Sequence, residues 1–157
     1  MSASFLSEAE IACKVDSFLS LHMFKIVQLV YPGGQCRISI TYEHNKKNKI
    51  IYPDLIAIKG NHILIGEIKQ KFSQHDYSKI FSYITSPNFK NRLEEVLSRY
   101  QSLPPNLSYS YALIHSQPYQ PQNLIYQIIF SREELEIVPP SGNYPLNFLE
   151  LFAGLGA

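Results

Sequence analysis

Tryptophan is absent from this chain, cysteine occurs twice, and neither sign of charge prevails: 14 Lys and Arg stand against 13 Asp and Glu. Cys13 and Cys36 lie in no C-x-x-C motif and in no paired Cys/His spacing, which argues against a zinc site. Two unpaired thiols suit a reducing compartment, so a cytoplasmic location is expected. No apolar run approaches the roughly 18 residues of a membrane span, so no membrane partner is expected. The N-terminus, MSASFLSEAE, has no basic segment leading into an apolar one, and no secretory signal is read there. A net charge of +1 is not that of an electrostatic clamp on nucleic acid; any such contact would need local patches. G-x-S-x-G is missing, and Gly33-Gly34 is too sparse for a nucleotide loop. His62, His75 and His115 have no compact metal spacing and are expected at the surface. No internal repeat is visible.

What is present is a core. The 157 residues are 45% hydrophobic and 17% charged, the balance of one globular domain covering 1–157. Eleven Tyr and nine Phe suit strands and packing as well as they would suit stacking on bases. The most informative stretch is Ile50–Lys71, IIYPDLIAIKGNHILIGEIKQK. It reads as two strands, Ile50–Ile58 and His62–Gln70, folded over Gly60-Asn61, a dipeptide suited to a two-residue hairpin turn. In that register Lys59 pairs with His62, Asp54 falls opposite Glu67, and Lys69 projects from the same face as Glu67. A loop one residue longer or shorter would put the two acids on opposite faces.

Facing carboxylates with Cβ atoms roughly 4.5–5.5 Å apart repel one another. The flanking Leu55, Ile56, Ala57, Leu64, Ile65 and Ile68 are the pattern of a buried sheet, where unpaired charge costs several kcal/mol. A divalent cation shared by Asp54 and Glu67 would offset that cost. Oxygen ligands of this kind suit Mg2+.

Around this stretch the chain reads in order. Ser7 and Glu10 form a capping-box pattern for a helix over 7–23, with Ile11, Ala12, Val15, Phe18 and Leu19 on its apolar face. Glu8 falls on that face, while Glu10 lies nearly opposite. FKIVQLVY and CRISITY read as strands joined by Pro32–Gln35 in a hairpin, and EHNKKNK as a polar loop. After Lys71, Tyr77, Ile80, Phe81 and Ile84 have helical spacing. A second helix follows Ser86-Pro87, with Pro87 in its first turn and Phe89, Leu93, Val96, Leu97 and Tyr100 apolar. Ser108–His115 and Leu124–Phe130 read as strands, the former parallel to the Glu67 strand after a helical crossover. The tail NFLELFAGLGA is apolar enough for a short helix that docks on the core or on a second subunit.

Pro53-Asp54, twelve intervening residues, and Glu67-Ile68-Lys69 resemble the PD-(D/E)XK motif of the restriction-endonuclease-like nucleases. The resemblance implies an α/β (α+β) fold: an αβββαβ core with a mixed sheet flanked by helices, here with extra strands. The core would span roughly 7–115, with a C-terminal strand and tail over 116–157. It further implies a Mg2+-dependent DNA endonuclease, with Mn2+ as a possible substitute. Asp54, Glu67 and the Ile68 carbonyl would hold the metal, with Glu8 as an additional ligand from the first helix. Lys69 would orient or deprotonate the attacking water, making Asp54, Glu67, Lys69 and Glu8 the catalytic set. Lys46, Lys47, Lys49 and Lys71 are the candidates for gripping backbone phosphates. Site-specific cleavage of restriction or mobile-element (homing) type is the first expectation, by a homodimer or dimer of dimers acting on DNA. A Holliday-junction resolvase is the alternative, against which the low net charge counts. A non-catalytic nucleic-acid-binding or assembly module of the same fold is the second.

Overall fold

A computed structural model describes residues 5–142. They form a mixed α/β architecture of three helices and eight strands. The first helix, α1 (Glu8–Leu21), starts where the capping box places it. Ser7 Oγ accepts from the Glu10 N–H and Glu10 Oε1 accepts from the Ser7 N–H, both at 3.1 Å. Its buried residues, Ile11, Ala12, Val15 and Leu19, are those of the expected apolar face.

Strands follow as β1 (Lys25–Leu29), β2 (Ile40–His44), β3 (Lys47–Ile51), β4 (Leu55–Lys59) and β5 (His62–Ile68). Helices α2 (Gln74–Ile84) and α3 (Phe89–Leu97) come next, then β6 (Ser108–His115), β7 (Tyr126–Phe130) and β8 (Leu135–Val138). One six-stranded sheet has the order β1-β4-β5-β6-β7-β8, and β2 and β3 form a separate two-stranded sheet. β4 runs antiparallel to both β1 and β5, β5-β6 and β6-β7 are parallel, and β8 closes antiparallel on β7. The parallel β5-β6 pairing is the expected one, with α2 and α3 as its crossover.

The two faces of the large sheet carry separate cores. Leu55, Ala57, Leu64, Ile68, Ala112 and Ile114 pack toward α1. Ile56, Ile58, Ile63, Ile65 and Leu113 pack toward α2, α3 and the small sheet. Apolar residues on both faces of β4 and β5 thus reflect cover on both sides. Gly66 is needed on the α1 side, where an added Cβ would come within 3.0 Å of Ile114 Cδ1 and 3.4 Å of the Ala112 carbonyl oxygen.

The hairpin register is as read from the sequence: Lys59 pairs with His62, and the ladder runs to Leu55 opposite Gly66. Of the turn residues only Gly60 has positive φ (+59°), the pattern of a II′ turn. Other expectations are corrected. Ile50–Ile58 is not one strand: Ile51 ends β3, Leu55 begins β4, and the chain changes sheets at Pro53, which has no N–H to give to a ladder. The polar segment 43–50 is a second hairpin, with Asn45 (φ +52°) and Lys46 (φ +63°) as its turn. The hairpin expected between 24–31 and 36–42 does not form, because β1 pairs with β4 and β2 with β3. Pro87 lies just outside α3, whose N-cap is Asn88, and Tyr100 lies beyond the helix end. The apolar tail is outside the described residues. Among those residues, no helix is long and apolar enough to cross a membrane.

Candidate functional site

The β4-β5 register brings Asp54 and Glu67 to one end of the sheet. Asp54 sits one residue before β4, and its Oδ2 accepts from the Ile68 N–H at 2.9 Å. Its backbone is tied as well, since the Val30 N–H donates to the Asp54 carbonyl at 2.8 Å. Gln28 on β1 braces the approach to it. Its Nε2 donates to the Pro53 carbonyl (2.6 Å) and the Ile38 carbonyl (3.3 Å), while its Oε1 accepts from the Ile38 N–H (2.8 Å). This buried amide, unremarked in the sequence pattern, joins β1, the segment before β2 and the residue before Asp54.

Glu67 is buried, with 3% of its side chain exposed. Burial pushes its carboxyl up to about 8; the Asp54 charge pushes the same way, and Lys79 opposes both. Lys79 reaches down from α2, with Nζ 3.0 Å from Glu67 Oε1. The contact is an ion pair without directed hydrogen-bond geometry, for Oε1 makes no hydrogen bond. Burial, the largest single influence, pulls the Lys79 ammonium down, yet Glu67 together with the Asp76 and Asp54 charges outweighs it and the net shift is upward. Asp76, one turn before Lys79, is also buried, with Oδ2 unpartnered. The hydroxyls of Tyr83 on α2 and Tyr111 on β6, in the same layer, are buried without partners too. Burial raises the Tyr83 pKa well above its usual value, and the Glu67 charge adds to that.

The lysine beside Glu67 is therefore Lys79, which was not singled out in the sequence. Lys69 follows the last residue of β5, is exposed, and makes no ion pair among the described residues. Its backbone N–H donates to the Ile114 carbonyl at 3.0 Å, which continues the β5-β6 ladder past the motif. A signal for Lys79 was present: Asp76, Lys79, Ile80 and Tyr83 have i, i+3, i+4, i+7 spacing, placing a charged pair on the apolar stripe of a helix.

Glu8, half-buried at the start of α1, lines a cavity of about 160 Å³ together with Asp54, Ile68 and the 30–34 loop. The helix orientation read from its apolar spacing thus brings Glu8 beside Asp54. Among the described residues no three His, Cys, Asp or Glu side chains form a ready metal cluster. The donor chemistry nevertheless fits a hard divalent cation: two adjacent carboxyl groups, one of them buried and faced by the Lys79 ammonium, which a cation would have to displace or share. The four candidate phosphate-binding lysines are dispersed. Lys46 is in the β2-β3 turn, and Lys47 and Lys49 are exposed on β3. Lys71 instead lies over the Phe5 ring, 5.1 Å from its centroid.

The histidine expectation is corrected for two of three. His62 is buried, with Nδ1 3.1 Å from Ser108 Oγ and Nε2 2.7 Å from Ser110 Oγ, and burial pushes its pKa down to about 4. His115 is buried, with Nδ1 accepting from the Gln117 N–H and Nε2 donating to Gln127 Oε1. His75 is exposed. Both cysteines are free.

No protein-family model matches the chain, and no curated protein and no solved structure matches it either.

Proposed function

We propose that this protein is a metal-dependent endodeoxyribonuclease of the PD-(D/E)XK, restriction-endonuclease-like kind. One observation carries the reading. Asp54 and Glu67 meet at the end of a buried hairpin, with Asp54 hydrogen-bonded to the Ile68 N–H and the buried Glu67 carboxyl beside it, faced by the Lys79 ammonium at 3.0 Å. The frame supports it: without the inserted β2-β3 hairpin, the order is α1, the antiparallel β1, β4 and β5, then α2-α3 and the parallel β6. That is an αβββαβ sequence, extended here by β7 and β8.

Asp54 and Glu67 would hold Mg2+, or Mn2+ in its place, with the Ile68 carbonyl and Glu8 completing the protein donors. The cation would supply charge neutralisation on the scissile phosphate and a lowered pKa for the attacking water. Lys69, exposed beyond Glu67, orients that water or takes its proton. Lys79 balances the Glu67 charge from the α2 side. Ile68 orients Asp54 by donating its N–H, and Gln28 holds the Pro53 carbonyl next to it. A site of this kind cuts one strand, so cleavage of both strands implies a homodimer or dimer of dimers. The contact suggested for it, Phe148–Leu155, lies outside the described residues.

A second reading has its own observation. The Lys79 ammonium stands 3.0 Å from Glu67 Oε1 and can balance its charge by itself, an arrangement that suits a non-catalytic binding or assembly module that keeps the fold. Incubation with supercoiled plasmid and with a four-way junction, each with Mg2+ or EDTA, separates the readings. Mg2+-dependent nicking lost in Asp54→Asn is expected, and preference for the junction would shift the assignment to a resolvase. Absence of cleavage on both substrates would favour the module.

A further inference from the structure

We propose that the cleft between the β2-β3 hairpin and α2 holds backbone phosphates of a nucleic-acid strand beside the Asp54–Glu67 pair. This rests on the nucleic-acid reading of the site, and it assigns the side from which the strand enters. The cleft has a volume of about 350 Å³, ample for a nucleotide, and its lining includes Lys49, His75, Ser78, Lys79 and Ser82. Lys49 and Lys79 both line the opening, the latter with its ammonium also facing Glu67, and among the described residues no carboxylate lines it. In a chain with a net charge of only +1, two lysines on one opening favour an anion there.

The hydroxyls are arranged unequally. Ser82 Oγ donates to the Lys79 carbonyl at 2.8 Å and accepts from Tyr42 OH at 2.8 Å, so its own proton is committed. Ser78 Oγ accepts from Gln74 Nε2 at 3.4 Å and has its hydroxyl proton left to give. At the rim, Ile50 is 57% exposed on the small sheet, next to Lys49 in the chain, and offers an apolar surface to a sugar or base. Lys79 is the link. It lines this cleft and also contacts Glu67, so a phosphate on its ammonium lies next to the carboxylate pair. The acids that act on Lys79 are Glu67, Asp76 and Asp54, and none of them lines the cleft.

The test is binding in EDTA, where no metal-dependent cleavage intervenes. A fluorescent oligonucleotide, single-stranded and duplex, is titrated by anisotropy against wild type, Lys49→Ala, Ser78→Asp and Lys25→Ala. Lys25 lies on β1 at the far end of the sheet and serves as control. Circular dichroism confirms that each variant is folded. Expected is a loss of about tenfold in affinity for Lys49→Ala, with the slope of log K against log salt reduced by about 1. Ser78→Asp should lose as much or more, and Lys25→Ala should match wild type. Equal affinity of all four proteins would overturn the cleft, and Mg2+-dependent nicking by the same samples would show that the nuclease reading survives. Displacement of nothing but inorganic phosphate or a mononucleotide, with no oligonucleotide bound, would overturn the nucleic-acid occupant.

Discussion

Lys79 Nζ lies 3.0 Å from Glu67 Oε1, and the partners differ in access to water: 31% of the lysine side chain is exposed against 3% of the glutamate. The lysine can leave the pair for solvent or for the adjacent cleft. The glutamate cannot, and its charge depends on whichever cation stands beside it. That asymmetry connects the fold of α2 to the electrostatics of β5.

Above about pH 8, where the Glu67 carboxyl is ionised, Lys79→Met is therefore expected to destabilise the protein by about 1–2 kcal/mol, less than a fully buried pair because the lysine is partly solvated. Lys69→Ala, at an exposed position, should stay within about 0.5 kcal/mol of wild type. If the chain is a nuclease, Lys69→Ala should nonetheless lower cleavage by orders of magnitude while leaving DNA affinity intact. Urea denaturation and single-turnover cleavage check the two halves. A Lys69→Ala protein cutting at the wild-type rate would remove that residue from the mechanism.

Glu67 should give the metal-free protein an unusual pH profile. Its carboxyl is raised from 4.5 to about 8, chiefly by burial. The native state then keeps a proton that the unfolded chain has released, so this contribution is full below about 4.5 and lost as pH rises to about 8. Glu67→Gln removes that slope and should be the more stable protein at pH 8 by a few kcal/mol, at about 1.4 kcal/mol per pKa unit. Added Mg2+ should raise the wild-type melting temperature at pH 8 and leave Glu67→Gln unmoved. Melting curves in EDTA and in Mg2+ test both, and parallel pH profiles for the two proteins would contradict the burial of the charge.

His62 works in the opposite direction. Burial lowers its pKa from 6.5 to about 4, so the neutral ring contributes fully above 6.5 and the contribution is lost as pH falls toward 4. The loss should reach at most roughly 3 kcal/mol. His62→Gln, able to bond one of the serines, should start less stable at pH 7 but lose less on acidification. Denaturation midpoints between pH 7 and 4 give the comparison, and equal acid sensitivity would assign the effect to other groups such as His115, also lowered by burial.

The Asp54–Glu67 juxtaposition was legible because Gly60 supplies the positive φ of a two-residue turn and the register follows from it. The α1 cap and its buried face were legible for the same local reasons. What escaped was long-range or atypical. Asn45-Lys46 makes a two-residue turn with a lysine at positive φ, a conformation sequence patterns assign to glycine. The pairing of β1 with β4 leaves no local trace once a whole hairpin is inserted between them. The Lys79 contact with Glu67 lies outside the motif, because it comes from α2 packed over the sheet rather than from the strand itself.

Gln28→Ala should show how far Asp54 depends on its surroundings. The substitution removes bonds to the Pro53 and Ile38 carbonyls and leaves the Ile38 N–H without its acceptor. A cost of about 2–3 kcal/mol is expected from the unsatisfied buried groups. Hydrogen exchange at the Ile38 amide should accelerate well beyond that global loss, because the opening is local. Unchanged exchange at Ile38 would mean that the segment is held by its apolar contacts alone.

The two acids of the first helix should behave differently. Glu10 belongs to the cap, where the Ser7 hydrogen bonds hold its carboxyl below the usual range, and glutamine can serve the same geometry. Glu8 instead shares a cavity with Asp54 and Ile68. Glu8→Gln keeps the shape and removes the charge, so folding should survive while Mg2+ affinity and cleavage fall. Glu10→Gln should leave both unchanged. Cleavage measured against Mg2+ concentration distinguishes an affinity effect, which excess metal rescues, from loss of a group acting on the reaction itself, which it does not. Equal losses in the two variants, or a loss in Glu10→Gln alone, would mean that α1 influences the site through its cap and that Glu8 takes no part in holding the cation.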